Sequence, residues 1–184
     1  IPSRLFRISF SGELAYEIAV PTRYGNSLFE MLMQVGQEFN VTPYGTEALG
    51  VMRVEKGHAA GNELTGQTTA QNLGLEKMMS KQKDYIGNVL SKRLELNKDD
   101  KIILMGFKPV DKSIELLAGS HFISKGKTAC TDNDEGWMSS VAYSPILNHS
   151  IGLGFIKNGS NRIGEVVTAV DLLRNKRIDV EIVS

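Results

Sequence analysis

Glu17, Arg53 and Glu55 are the side chains whose types and spacing could do chemistry in this 184-residue chain. Glu17 lies in Ser11-Gly12-Glu13-Leu14-Ala15-Tyr16-Glu17-Ile18, which reads as a tight turn entering a strand. A carboxylate in that place can accept two parallel N–H donors at once. In a strand, Tyr16 and Glu17 point to opposite faces. By spacing alone, the commoner reading of Glu17 is a solvated strand carboxylate. Arg53 and Glu55 lie in Tyr44-Gly45-Thr46-Glu47-Ala48-Leu49-Gly50-Val51-Met52-Arg53-Val54-Glu55-Lys56-Gly57-His58, which reads as a helix stopped by a glycine. The Arg53 guanidinium is a rigid fork of donors, suited to a carbonyl or a carboxylate. A surface ion pair with Glu47 or Glu55 explains Arg53 equally well. Glu55 faces away from Arg53 if the helix continues and reads as structural. Glu63, in Gly61-Asn62-Glu63-Leu64, is a loop acid that could help order the same segment.

Other chemistry-bearing residues carry weaker signals. His58, His121 and His149 are too far apart in sequence to suggest a metal site, and none pairs with a second ligand at a usual spacing. His58 follows the helix end and reads most simply as a loop histidine. Gly152-Leu153-Gly154 lacks the third glycine and the following helix of a dinucleotide-binding turn, so it reads as a strand with close packing. Cys130 has no basic neighbour in sequence that would make it a thiolate nucleophile.

The elements that must position these residues fall into two kinds. Leu5 to Phe10 and Leu14 to Val20 read as strands around the Ser11-Gly12-Glu13 turn. Asn26 to Phe39 places Leu28, Phe29, Leu32 and Val35 on one side, the spacing of an amphipathic helix. Thr46 is expected to N-cap a second helix reaching about Val54, with Gly57 as its stop. A loop from Gly61 to Gly74 and short helical turns lead to Leu94. The charged stretch Glu95-Leu96-Asn97-Lys98-Asp99-Asp100-Lys101 is the expected domain boundary. Beyond it, short strands are expected at 102–107, 115–117, 141–144, 151–156, 165–170 and 178–183, the rhythm of an antiparallel sandwich or open barrel.

Composition excludes several classes. Hydrophobic residues make up 41% and charged residues 23%, an ordinary globular balance. The 21 basic and 21 acidic side chains cancel, which argues against a sequence-independent nucleic-acid binder. No apolar run approaches the roughly 20 residues that span a bilayer, so no membrane partner is expected. The single cysteine rules out an internal disulfide and fits a reducing, cytoplasmic compartment. The chain opens on Ile1 and enters strand-like sequence almost at once, so it is expected to be a piece of a longer polypeptide.

With those residues in view, the chain resembles the folate-binding aminomethyltransferases of glycine cleavage and their relatives fused into N-methylglycine (sarcosine) oxidases. The carriers are Gly-Glu-Leu-Ala-Tyr-Glu-Ile at 12–18 and Arg-Val-Glu-Lys-Gly at 53–57. They are joined by Gly66-Gln67-Thr68-Thr69, Asn72-Leu73-Gly74-Leu75 and Lys81-Gln82-Lys83-Asp84-Tyr85-Ile86-Gly87. Ser144-Pro145-Ile146-Leu147-Asn148-His149 and Ile151-Gly152-Leu153-Gly154 continue the match. The longer motifs look most like the C-terminal end of the α subunits of heterotetrameric sarcosine oxidases.

The resemblance implies an α+β fold: the second part of a folate-binding domain over 1–98, its N-terminal part missing, then a C-terminal antiparallel β-barrel or sandwich over 99–184. It implies tetrahydrofolate as ligand, with Glu17 as the pterin-binding carboxylate and Arg53 as a second folate contact. A pterin presents a ring N–H beside an exocyclic amino group, the paired donors that one carboxylate accepts. Phe10 stands where the glycine-cleavage branch commonly has a tyrosine, so it keeps a stacking surface and loses a hydroxyl. Tyr16 and Tyr44 either line the same pocket or, more simply, pack in the core. No catalytic group is expected among residues 1–184, because the family's proton-handling aspartate lies upstream of the first strand. FAD, FMN and NAD are expected in the full complex but not on this segment, and other sarcosine oxidase subunits are the expected protein partners. The implied role is capture of the one-carbon unit from sarcosine as 5,10-methylenetetrahydrofolate. Two alternatives are an assembly module with an incomplete folate site and a free-standing aminomethyltransferase relative.

Overall fold

The computed structural model describes residues 1–184, which divide by compactness into Ile1–His58 and Ala59–Ser184. In the first unit, β1 (Arg4–Phe6) pairs antiparallel with β2 (Glu17–Ala19), with Phe6 opposite Glu17. Both strands are shorter than the alternation suggests. Helix α1 (Gly25–Val35) runs into a 3₁₀ turn over Gly36–Phe39, and helix α2 covers Thr46–Lys56. Gly45, not Thr46, occupies the N-cap position of α2. Gly57 adopts the left-handed conformation (φ +75°) that glycine enters without a Cβ clash. Its N–H donates to the Val54 carbonyl at 3.0 Å and the His58 N–H to the Arg53 carbonyl at 2.8 Å, the paired bonds of a Schellman stop.

Val54 is the one buried hydrophobic side chain of this unit. Phe29, Leu32 and Val35, the stripe expected to face a core, are about half exposed (56%, 46% and 58%). The helical spacing of α1 is therefore realised, while the burial that such a stripe implies is not.

The second unit holds a closed, wholly antiparallel six-stranded barrel in the order β3-β6-β5-β4-β7-β8. Its strands are β3 (Ile102–Pro109), β4 (His121–Ser124), β5 (Gly136–Ser144), β6 (His149–Lys157), β7 (Val166–Asp171) and β8 (Lys176–Val183). Strand β3 turns the corner that closes the barrel: residues 102–107 pair with β6 and 106–109 with β8. The expected strand at 115–117 is absent. Leu116 instead enters the core from a loop, its N–H donating to Ser150 Oγ at 3.1 Å. The strand at 121–124 went unforeseen because His-Phe-Ile-Ser is too short to alternate visibly.

Phe107, Phe122, Met138, Ile156, Val167, Val180 and Ile182 form the barrel core, with the Phe107 and Phe122 rings stacked at 4.2 Å. Gly152 and Gly154 let β6 lie tightly on β5. A Cβ on Gly154 would stand 2.6 Å from the Trp137 carbonyl oxygen, and one on Gly152 2.3 Å from Met138 Sδ. The glycine pair is thus a packing device.

Residues 59–101 belong to the barrel's compact unit, so compactness divides the chain after His58 rather than in the charged stretch at 95–101. Two clamps account for this. Asn72, buried, donates from Nδ2 to the Ile102 carbonyl at 2.7 Å and accepts from the Leu104 N–H through its own carbonyl at 2.7 Å. Its Oδ1 accepts from both the N–H and the hydroxyl of Thr69, each at 2.8 Å. The second clamp is Glu63, described below. No helix is long and apolar enough to cross a membrane.

Candidate functional site

The first unit brings its two motifs together. The turn between β1 and β2 reaches the C-terminal end of α2: Lys56 Nζ donates to the Ser9 carbonyl at 3.3 Å. A Cβ on Gly12 would meet the Lys56 side chain at 3.2 Å, so the bare glycine lets that chain pass (φ +99°). Ser9 Oγ accepts the Gly12 N–H at 3.0 Å, which fixes the turn. Phe10 meets His58 edge-to-face with ring centroids 4.9 Å apart. Ser9 and Lys56 are absent from the sequence-derived candidates. Lys56 lies within the Arg-Val-Glu-Lys-Gly motif, in the last turn of α2.

Arg53 secures the same corner. It is half-buried, and Nη1 donates to the His58 carbonyl at 3.3 Å while the His58 N–H caps the Arg53 carbonyl. One residue thus holds the His58 backbone from both sides, and a guanidinium with five N–H donors can serve other acceptors besides. The His58 imidazole is held below its ordinary range, first by partial burial and then by the neighbouring cations Lys56 and Arg53. The neutral form is therefore favoured beside Phe10.

Glu17 is exposed on β2, and its carboxylate makes no hydrogen bond or ion pair with the protein. An acceptor with both oxygens available suits a ligand that brings its own paired donors. Tyr16 and Tyr44 are 53% and 62% exposed, so the core-packing reading of both is wrong. Neither touches the Phe10–His58 pair through a ring contact.

Glu63 resolves differently from the other acids. It is fully buried in the second unit, 0% exposed. Its Oε1 accepts from the Ser139 and Ser140 hydroxyls at 2.6 Å each, and its Oε2 from the Ala60 N–H at 2.9 Å. Consecutive strand residues normally point to opposite faces. Here the register of β5 against β6 slips between Met138 and Ser140, and this bulge turns both hydroxyls to one oxygen. Asn62 adds a bond from Nδ2 to the Ser139 carbonyl at 3.3 Å, and the Thr68 hydroxyl donates to the Glu63 carbonyl at 2.8 Å. The Ser139-Ser140 pair gave no sequence signal, since its role depends on the bulge.

Comparison with known proteins bears on both units. The family model described as the GCVT N-terminal domain matches residues 1–83, and the glycine cleavage T-protein C-terminal barrel domain matches 104–184. Sarcosine oxidase subunit alpha of Rhizobium meliloti (strain 1021) is 45% identical over 89% of this chain and 17% of the relative. The subunit alpha of Corynebacterium sp. (strain U-96) is 41% identical over 99% of this chain and 19% of the relative. An aminomethyltransferase of Thermoanaerobacter pseudethanolicus is 30% identical over 97% of this chain and 46% of its own. The chain thus spans less than a fifth of the oxidase subunits that it matches. Among solved structures, the glycine cleavage system aminomethyltransferase T from Bartonella henselae has the same fold. It superposes with a TM-score of 0.76 at 24% identity, over 99% of this chain and 48% of that one.

Proposed function

We propose that this chain, which belongs to the glycine cleavage T-protein family, is the tetrahydrofolate-binding region of a sarcosine oxidase α subunit. The observation that carries the reading is Glu17: an exposed carboxylate without a protein partner, next to the turn that meets the Arg53 end of α2. Such a group fits a pterin, whose ring N–H and amino group need two parallel acceptors. Glu17 would accept both donors and so fix the ring's orientation. Arg53 would donate to a carbonyl or carboxylate of the same ligand, and Phe10 would offer an apolar face, with Tyr16 and Tyr44 nearby. The protein's contribution is orientation and containment. Bound tetrahydrofolate would supply the amine that takes up the one-carbon unit left when sarcosine is oxidised, giving 5,10-methylenetetrahydrofolate.

The identity to oxidase α subunits supports the choice of branch, as does Phe10 in place of a tyrosine. In this reading FAD, FMN and NAD are held by other parts of the complex, whose remaining subunits are the protein partners. The division into a folate-binding part and a barrel falls, in this reading, near residue 98; the matched segments, which end at 83 and begin at 104, support it without fixing the residue. The compartment is the cytoplasm. Residues 1–184 alone are expected to oxidise no sarcosine.

The test is product partition. The complete protein containing this chain oxidises sarcosine in the presence of tetrahydrofolate and a formaldehyde scavenger. The proposal expects methylenetetrahydrofolate from the parent, and mostly scavenged formaldehyde from Glu17→Gln at an unchanged rate of amine oxidation. An unaltered partition in Glu17→Gln would remove the proposed role.

A further inference from the structure

Each neighbouring pair of barrel strands is antiparallel, so β3, β5 and β7 run one way and β4, β6 and β8 the other. The β5–β6 and β7–β8 turns therefore sit at the same end of the barrel. Hairpin tips favour small polar residues, and Asn148 and Asn175 meet that need at φ +60° and +51°. Yet each tip also presents two large aliphatic side chains. Ile146 and Leu147 are 85% and 52% exposed, and Leu172 and Leu173 are 73% and 98% exposed. The four side chains sit on two tips at one end of the barrel, exposed apolar surface of the kind that marks an interaction site.

The second tip adds charge. Arg174 is engaged by Asp171, but Lys176 and Arg177 are exposed and make no ion pair. At its foot lies an open cleft of about 660 Å³, lined by Ile123, Val170, Leu172 and Leu173 and also by Asp134 and Asp171, whose carboxylates are engaged by His121 and Arg174.

We propose that this end of the barrel docks a segment of another subunit, one that carries acidic side chains beside large apolar ones. The inference rests on the reading that the chain works inside a multi-subunit oxidase. The aliphatic tips supply the buried centre of such a contact, and Lys176 and Arg177 at its margin select an acidic partner. Two unpaired cations fall short of the cluster of four to eight that holds an anionic membrane, and a neutral chain lacks the excess for nucleic acid. In a two-fold contact between copies, the same basic tips would oppose each other.

The experiment uses the complete protein, co-expressed with its partner subunits, with photo-reactive p-benzoylphenylalanine replacing Leu173. The expected cross-link joins it to another subunit, at a peptide in which acidic residues flank an apolar one. In parallel, Leu172→Asp with Leu173→Asp, and separately Lys176→Glu with Arg177→Glu, should each release that subunit at least tenfold more readily. Both variants should keep the parent's thermal unfolding and tetrahydrofolate titration. A cross-link to the same chain, to a second copy or to lipid, or no cross-link at all, overturns the proposal. So does unchanged subunit affinity in both variants. Failure of folate binding in the parent, with the cross-link intact, would count against the folate reading and leave the docking surface standing.

Discussion

At the scale of single residues, the corner where Ser9, Phe10 and Gly12 meet Arg53, Lys56 and His58 is held by few interactions, and one of them titrates. His58 binds its proton less readily when folded than when unfolded, because partial burial and then Lys56 and Arg53 oppose the charged form. The unfolded chain therefore takes up the proton first as pH falls. The stability His58 contributes is complete above its ordinary value of about 6.5 and is lost on acidification below it. Denaturant unfolding of the intact chain should lose stability as pH falls below about 6.5, and His58→Asn should reduce that loss. An equal loss in both proteins would show that His58 is not the group responsible. A proton-NMR titration should place the imidazole midpoint below 6.5 and return it toward that value in Lys56→Gln.

At the scale of elements, β5 and β6 carry the clearest consequences. Ser139→Ala or Ser140→Ala removes a hydrogen bond to a buried carboxylate, a loss worth about 1.5–3 kcal/mol. Because both hydroxyls serve the same oxygen of Glu63, the double variant should not be additive. Urea unfolding of the barrel unit checks this, and changes within about 0.5 kcal/mol would show that the clamp is not structural. Gly154→Ala forces a methyl toward the Trp137 carbonyl, overpacking that should cost about 1–3 kcal/mol; a neutral effect would mean that the strand pair yields freely. These elements also show where the sequence was readable. The stop at Gly57, both helices and five of the six barrel strands are local signals, written in glycine position and apolar period. The strand at His121–Ser124, the loop entry of Leu116 and the serine bulge were not legible, since each exists only through a partner distant in sequence. Likewise Glu17 and Arg53 could be singled out from local motifs. The exposure of Tyr16 and Tyr44 could not, because it depends on what packs around them.

At the scale of the whole molecule, the two units differ in what they bury. The barrel has an extensive apolar core, whereas Ile1–His58 buries a single hydrophobic side chain. Residues 59–184 expressed alone should unfold cooperatively, and residues 1–58 alone should give a far-ultraviolet spectrum without a cooperative transition. A sharp transition in residues 1–58 would contradict the account of the exposed α1 stripe. The central claim is that Glu17 holds the pterin, and calorimetric titration of the complete protein with tetrahydrofolate tests it most directly. Losing one charged hydrogen-bond partner costs about 1.5–3 kcal/mol, so Glu17→Gln should bind roughly ten- to a hundredfold more weakly than the parent. Equal affinity in the two proteins would contradict the assignment.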